Sequence, residues 1–218
     1  FRQEYQATWE TYSGIIYYGF SMSENIKHFV EPIDNNILHI GMDFNLDPMS
    51  AVVTYIDKGV VYIKDEIQIW SSNTDEMCAE IHRRYPGKKI FVYPDPASRQ
   101  RKTSAGGRTD LSILMNAGFI CKVPGRHMAV RDRINSVNAK LCSANNERQV
   151  FFNPKVKNCV NSISKNVFKE GTMLPDKTQG FDHMNDALGY LISFLYPIRT
   201  TYETEQPQRY TVKTGVAH

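Results

Sequence analysis

A chain of 218 residues with 41% hydrophobic content suits one large domain, or one domain with appendages, and can bury a real core. It has no run of 18 apolar residues to cross a membrane, and Phe1-Arg-Gln-Glu-Tyr5 is too polar for a signal peptide. A net charge of +3 does not by itself indicate nucleic acid, and Cys78, Cys121, Cys142 and Cys159 form no CxxC pair, which argues against zinc motifs and for free thiols in a reducing compartment.

In chain order, residues 1–34 read as a lead-in. Phe1–Glu10 suits a short helix, Ser13–Phe20 a strand, and 21–34 a polar connector. The chain starts at Phe1 rather than Met, so a fragment or a processed product is expected. Ile37–Phe44 then reads as a short buried strand that delivers a carboxylate, Asp43, to its end and breaks at Asp47-Pro48. Ser50–Ile56, rich in β-branched residues, is a second strand. Asp57-Lys-Gly59 is a tight-turn signal, so Val60–Trp70 should return beside it as a hairpin. Asn73 or Thr74 caps a helix whose stripe is Met77, Ile81 and Tyr85. Pro86-Gly87 ends that helix. Lys89–Pro94 is a fourth strand, and Pro94-Asp95-Pro96 puts a second acid at a strand end.

Residues 97–110 hold almost no apolar side chain and read as an exposed, mobile loop. Asp110 is placed to cap a short helix, Leu111–Ala117. Gly118–Val123 suits a fifth strand, Met128–Leu141 a helix by periodicity, Gln149–Phe152 a short strand, and Val156–Ile163 another helix. Residues 165–181 form a second irregular polar stretch. His183–Leu195 is a strongly apolar helix with Asp182 as its expected N-cap. Residues 35–198 therefore read as the domain, and 199–218 as an extended or disordered tail.

This order of elements predicts an α/β fold with a mixed central sheet flanked by helices. If the first and fourth strands are neighbours, Asp43 and Asp95 share one sheet edge, where α/β folds build sites. On the last helix Asp182 and Asp186 are i,i+4 and His183 and Asp186 are i,i+3, so all three can share a face. Asp186 interrupts an apolar face, and an acid there needs a partner. Several carboxylates around one point repel unless a cation lies between them. Oxygen ligands without thiolates favour Mg²⁺ or Mn²⁺ over Zn²⁺. Such clusters hold two ions roughly 3.5–4 Å apart and clamp a phosphodiester for attack by water. The basic residues Arg99, Arg101, Lys102 and Arg108, followed by Lys122, Arg126, His127, Arg131 and Arg133, suit a phosphate-bearing substrate. A solvated surface is the plainer reading of the same charges. Asp47 reads as a turn residue.

Three segments carry a resemblance: Gly41-Met-Asp43-Phe-Asn45 with its hairpin, Tyr93-Pro-Asp95-Pro-Ala-Ser98, and His183-Met-Asn-Asp186-Ala-Leu-Gly-Tyr190. Together they resemble the nuclease domain of the large terminase subunit of tailed double-stranded DNA phages. The third is the most specific, with a His, two residues, then Asp-Ala-Leu and an aromatic. Gln3-Glu-Tyr-Gln-Ala-Thr-Trp9 is similar to the segment that enters that domain, and the likeness covers about residues 1–198. It implies an RNase H-like fold and a metal-dependent endonuclease that cuts concatemeric phage DNA to begin and end packaging in the host cytoplasm. Asp43, Asp95 and Asp186 would be the metal-binding acids of a two-ion Mg²⁺ or Mn²⁺ site, and His183 a catalytic residue that some members share. Asp182 has no firm counterpart and stays a cap. Arg99, Arg101, Lys102, Arg108, Arg126 and Arg131 would grip the double-stranded DNA. The portal and the small terminase subunit are the implied partners. No GxxxxGK[ST] occurs, so the ATPase that precedes this domain in the family would be absent. Two alternatives remain open: a junction resolvase or exonuclease on the same fold, and a portal or capsid docking module with little activity alone.

Overall fold

Alternation along β1, Ile37–Asp43, gives the strand two faces with different duties. Leu38, Ile40 and Met42 are fully buried on one side, with Met77 and Ile81 of α2 and Ile113 and Leu114 of α3. His39, Gly41 and Asp43 point to the other side. The computed structural model describes residues 14–45, 47–99, 108–125 and 128–198. The expected helix Phe1–Glu10, the tail 199–218, and Arg101, Lys102 and Arg126 lie outside the described residues.

The elements run α1 (Met22–Asn25), β1, β2 (Met49–Asp57), β3 (Val60–Ile69), α2 (Thr74–Arg84), β4 (Lys89–Pro94), a 3₁₀ turn (Pro96–Arg99), α3 (Asp110–Asn116), β5 (Ile120–Cys121), α4 (Val130–Leu141), β6 (Val150–Phe152), α5 (Lys157–Lys165) and α6 (Asp182–Leu195). They form a six-stranded mixed sheet in the order β5-β4-β1-β2-β3-β6. The hairpin β2–β3 is antiparallel, as the Asp57-Lys-Gly59 turn predicts, with a bulge at Val53/Thr54. β1 is antiparallel to β2 and parallel to β4, in register from Ile37↔Lys89 to Met42↔Pro94. The first and fourth expected strands are thus neighbours.

Helices α2 and α3 cover one face of the sheet and α4, α5 and α6 the other, each over its own apolar cluster. Fully burying a Leu, Ile, Val or Met side chain contributes about 1.5–3 kcal/mol, so both layers are strongly held. No helix among the described residues is long and apolar enough to cross a membrane.

Four local expectations are corrected. Ser13–Phe20 is no strand within its described part; it makes one bridge, Ile15↔Val167, and its apolar character comes from Ile16 and Tyr17 packing into the α4–α6 core. The Asn138 side chain, bonded to Ile16 O and Gly19 N, holds that turn instead of a ladder. The fifth strand shrinks to Ile120–Cys121, because Gly118 is still in the turn that ends α3, at φ +85°, and Pro124 follows. Asp110 is not the cap of α3: Thr109 is, through a reciprocal capping box with Ser112, while Asp110 accepts from Thr74 Oγ1 at 2.6 Å. Asp182 is not the cap of α6 either. It is the first residue of the helix, Phe181 occupies the cap position, and no side chain caps it. Two short elements were also unforeseen: α1 in the connector, and the 3₁₀ turn at the start of the basic stretch.

Candidate active site

The site grows from the β1–β4 edge. Asp43 ends β1, and Asp95 follows the last residue of β4, with its backbone N–H donating to Met42 O at 3.1 Å. Parallel pairing therefore fixes the two acids side by side. Asp95 Oδ1 accepts from Ala97 N at 2.8 Å, and Asp95 O accepts from Ser98 N, so the acid also closes the turn that follows it.

Helix α6 brings the other side. A Cβ at Gly41 would stand 2.0 Å from Ala187 O, so the helix backbone lies against the strand where only glycine allows it. That crossing sets Asp186 and His183 over the end of β1. His183 Nδ1 lies 3.2 Å from Asp43 Oδ2, and Asn45 Nδ2 lies 3.0 Å from the same nitrogen. The result is a cleft of about 330 Å³ whose walls include Asp43, Asp95, Asp182, His183 and Asp186, with Asn45, Ser98, Asp110, Lys177 and Tyr190.

Asp186 has the partner that an acid on an apolar face requires. Arg133 Nη2 lies 2.5 Å from Asp186 Oδ1, and both side chains are mostly buried. The arginine stem runs past Gly189, where a Cβ would come within 2.9 Å of it, and its guanidinium lies 4.6 Å from the centroid of the Tyr190 ring. Sequence reading placed Arg133 only within a basic run. A stronger signal was available: position 133 falls on the i+3/i+4 stripe of Val130, Ile134, Val137 and Leu141.

The electrostatics follow from this crowding. Burial, with further repulsion from Asp43 and Asp182, pushes Asp186 up to about 6 despite Arg133 and Lys177. The hydrogen bond to Asp43 outweighs burial and raises His183 above its ordinary value, with Asp182 and Asp186 adding to the effect. Burial beside the same groups drives Tyr190 upward, so its phenol stays neutral.

Among the described residues, no three carboxylate, imidazole or thiol groups already converge on one point at coordination distance. In this arrangement Asp186 is turned to Arg133 and Asp43 to His183. The donor set nevertheless fits a hard divalent cation: five aspartates line the cleft and no thiolate does. Asp182 Oδ1 is buried there with no hydrogen-bond partner.

Three of the six expected phosphate contacts are described. Arg99, exposed, directly follows the cleft residues Ala97 and Ser98, and its Nη2 lies 3.3 Å from Val123 O. Arg108, exposed, pairs with Asp75 Oδ2 at 3.3 Å, two residues before the cleft residue Asp110. Arg131 is exposed on α4. None of the three lines the cleft itself; among the described residues Lys177 does, and it was not anticipated. Asp47 lies outside the cleft, where its Oδ1 accepts from Ser71 N at 2.7 Å, as a turn residue would.

No protein-family model and no curated protein matches the chain. Solved structures do. The large terminase from a thermophilic bacteriophage superposes with a TM-score of 0.64 at 21% identity, over 83% of this chain and 44% of that one. The P22 large terminase nuclease domain gives 0.64 at 16% identity, over 85% and 94%. This chain has the RNase H-like fold of a terminase nuclease domain. The large terminase nuclease from the thermophilic phage G20c, solved with bound magnesium, gives 0.59 at 13% identity, over 83% and 97%. The chain spans less than half the length of the first of these proteins and nearly all of the two nuclease domains. At these identities the likeness establishes the terminase-nuclease fold, and the residues of the cleft must carry any argument about chemistry.

Proposed function

We propose that this chain is a divalent-metal-dependent DNA endonuclease that cuts concatemeric phage double-stranded DNA during genome packaging. The observation that carries the reading is the meeting, in one cleft on a terminase-nuclease fold, of Asp43 from β1, Asp95 from the end of β4 and Asp186 from α6. Asp43, Asp95 and Asp186 would hold Mg²⁺ or Mn²⁺, two ions in our reading. When bound, such ions supply an activated water and offset charge on the scissile phosphodiester.

The chain's own residues do the rest. The β1–β4 register holds Asp43 and Asp95 at one edge. Arg133 steadies Asp186 and keeps it from meeting Asp43 as an uncompensated charge. His183, oriented by Asp43, can hold a proton on its ring and release it into the cleft. Arg99, Arg108 and Arg131, with Arg101, Lys102 and Arg126, supply sequence-independent phosphate contacts. The expected products carry 5′-phosphate and 3′-hydroxyl ends. In its full setting the domain would act in the host cytoplasm, downstream of an ATPase and in contact with the portal and the small terminase subunit.

The test is plasmid cleavage in Mn²⁺. The wild-type chain should nick and linearise supercoiled DNA without branch preference, and chelation should stop it. Asp43→Ala, Asp95→Ala and Asp186→Ala should each fall to background. Wild-type cutting by Asp43→Ala would refute the site; a strong preference for four-way junctions would refute the packaging role. Arg99→Ala should weaken duplex binding uniformly and reduce the log–log salt slope by about 0.9.

A further inference from the structure

Asp182 was expected to cap α6, and it does not. It is the first residue of that helix, 3% exposed, and its carboxylate accepts no backbone N–H at the helix start. Its two oxygens have different surroundings. Oδ2 lies 3.3 Å from Lys177 Nζ, on a side chain that is 69% exposed. Oδ1 is buried with no hydrogen-bond partner, and His183 Nε2 lies 3.8 Å from it, beyond bonding distance.

A buried carboxylate oxygen without a donor is costly, because it has lost water and gained no partner. Attraction to the N-terminus of α6 favours an acid at this position modestly. That attraction does not explain why one oxygen of a residue in the cleft wall goes unbonded. The neighbours indicate what would satisfy it. Asp182 and Asp186 are one turn apart on the same face of α6. His183 lies between Asp182 and Asp43, its Nδ1 toward Asp43 and its Nε2 toward Asp182. Asp182 and Asp186 also line an adjoining hollow of about 510 Å³.

We propose that Asp182 is a fourth acid of the site, presenting its unpartnered Oδ1 to a divalent cation held by Asp43, Asp95 and Asp186, while Lys177 balances its other oxygen from the solvent side. The inference rests on the nuclease reading for the three acids. It extends that reading to a residue that neither the strand-end pattern nor the His-x-x-Asp pattern selects. It also assigns Lys177 a role: a surface ammonium that competes with the cation for the same carboxylate.

Mn²⁺ binding by calorimetry, with the full chain, MnCl₂ alone and no DNA, tests this without an activity readout. Asp182→Asn should weaken Mn²⁺ binding about tenfold or more, while the metal-free melting temperature stays the same or rises. Lys177→Met removes an exposed ammonium and leaves the Asp182 carboxylate without its ion pair, so it should lower the metal-free melting temperature and tighten Mn²⁺ binding severalfold. Asp43→Asn is the control for the underlying reading. If Asp43→Asn loses binding while Asp182→Asn and Lys177→Met both bind as wild type, the fourth-acid role is overturned and the three-acid site stands. If Asp43→Asn also binds as wild type, the site itself is wrong and this inference falls with it. Should Asp182→Asn melt early, Lys177→Met decides: unchanged Mn²⁺ affinity there contradicts the proposal.

Discussion

On the strand rim of the cleft, Asp43 and Asp95 stand where backbone hydrogen bonds put them; on the helix rim, Asp182, His183 and Asp186 stand where side-chain packing puts them. The strand rim is set by one parallel register and the bond from Asp95 N to Met42 O. The helix rim depends on the seat of α6 at Gly41 and on the reach of Arg133 across Gly189. A register cannot shift by a fraction of a residue, whereas a packed helix can be displaced by one methyl group. The two acids of the first rim should therefore be hard to move, and the three groups of the second should answer to mutations that never touch them.

The sharpest way to break that contrast is Gly41→Val. A branched Cβ would enter the backbone of Ala187, and overpacking of this kind costs about 3 kcal/mol or more when the neighbour is a helix backbone. Valine's better strand propensity returns at most about 1 kcal/mol, so the clash wins. Urea unfolding should show the loss, and Mn²⁺ affinity should fall with it. Wild-type stability would mean that α6 is not seated on β1 as described.

Next in size is Arg133→Met. Removing one member of a buried pair strands the other, and Asp186 should cost the fold about 3 kcal/mol at pH 7. The loss should shrink near pH 5, where Asp186 can take up a proton instead. Equal losses at both pH values would show that Arg133 acts by packing alone.

A smaller effect concerns pH in the unmodified chain. Asp186 has its folded value raised to about 6, so the stability linked to its protonation is fully present below the unfolded value and is lost as pH rises through about 6. A cation must displace that proton. Mn²⁺ affinity measured by calorimetry should therefore hold above pH 7 and fall by up to about tenfold per unit below pH 6. His183, also raised, should add to the fall if its ring faces the ion. A flat profile from pH 5 to 7.5 would remove Asp186 from the ligand set.

The smallest effect should come from Asp47→Ala. Asp47 only ties Ser71 to the β1–β2 connection at the surface, and losing it should cost about 1 kcal/mol or less with no change in Mn²⁺ affinity. A drop in affinity would make Asp47 part of the rim.

The same contrast explains what sequence reading could and could not recover. Strand ends are local facts: an apolar run, an acid, then proline or a turn. Asp43 and Asp95 were singled out that way, on the condition that the first and fourth strands are neighbours, and the sheet places them so. Asp186 was found as an acid on an apolar face. Its partner was not, because Arg133 lies 53 residues away and only the packing of α4 on α6 joins them. Asp182 and Asp110 were both read as caps, because an acid before an apolar helical run usually is one. In each case the helix begins one residue earlier than expected, and the acid turns inward. Ser13–Phe20 was misread for a related reason: apolar residues without a partner strand in view look like a strand until the core they fill is known.

The central claim is that Asp43, Asp95 and Asp186 close around divalent cations. A crystal of this chain soaked in Mn²⁺ and measured at the manganese absorption edge tests it most directly. The account predicts anomalous density inside the cleft, ligated by those three carboxylates, with Asp186 turned from Arg133 and Asp182 Oδ1 facing the ion. Saturating Mn²⁺ with no density there, or with Asp186 still paired to Arg133 and the three acids more than about 10 Å apart, too far to share one two-ion site, would contradict it.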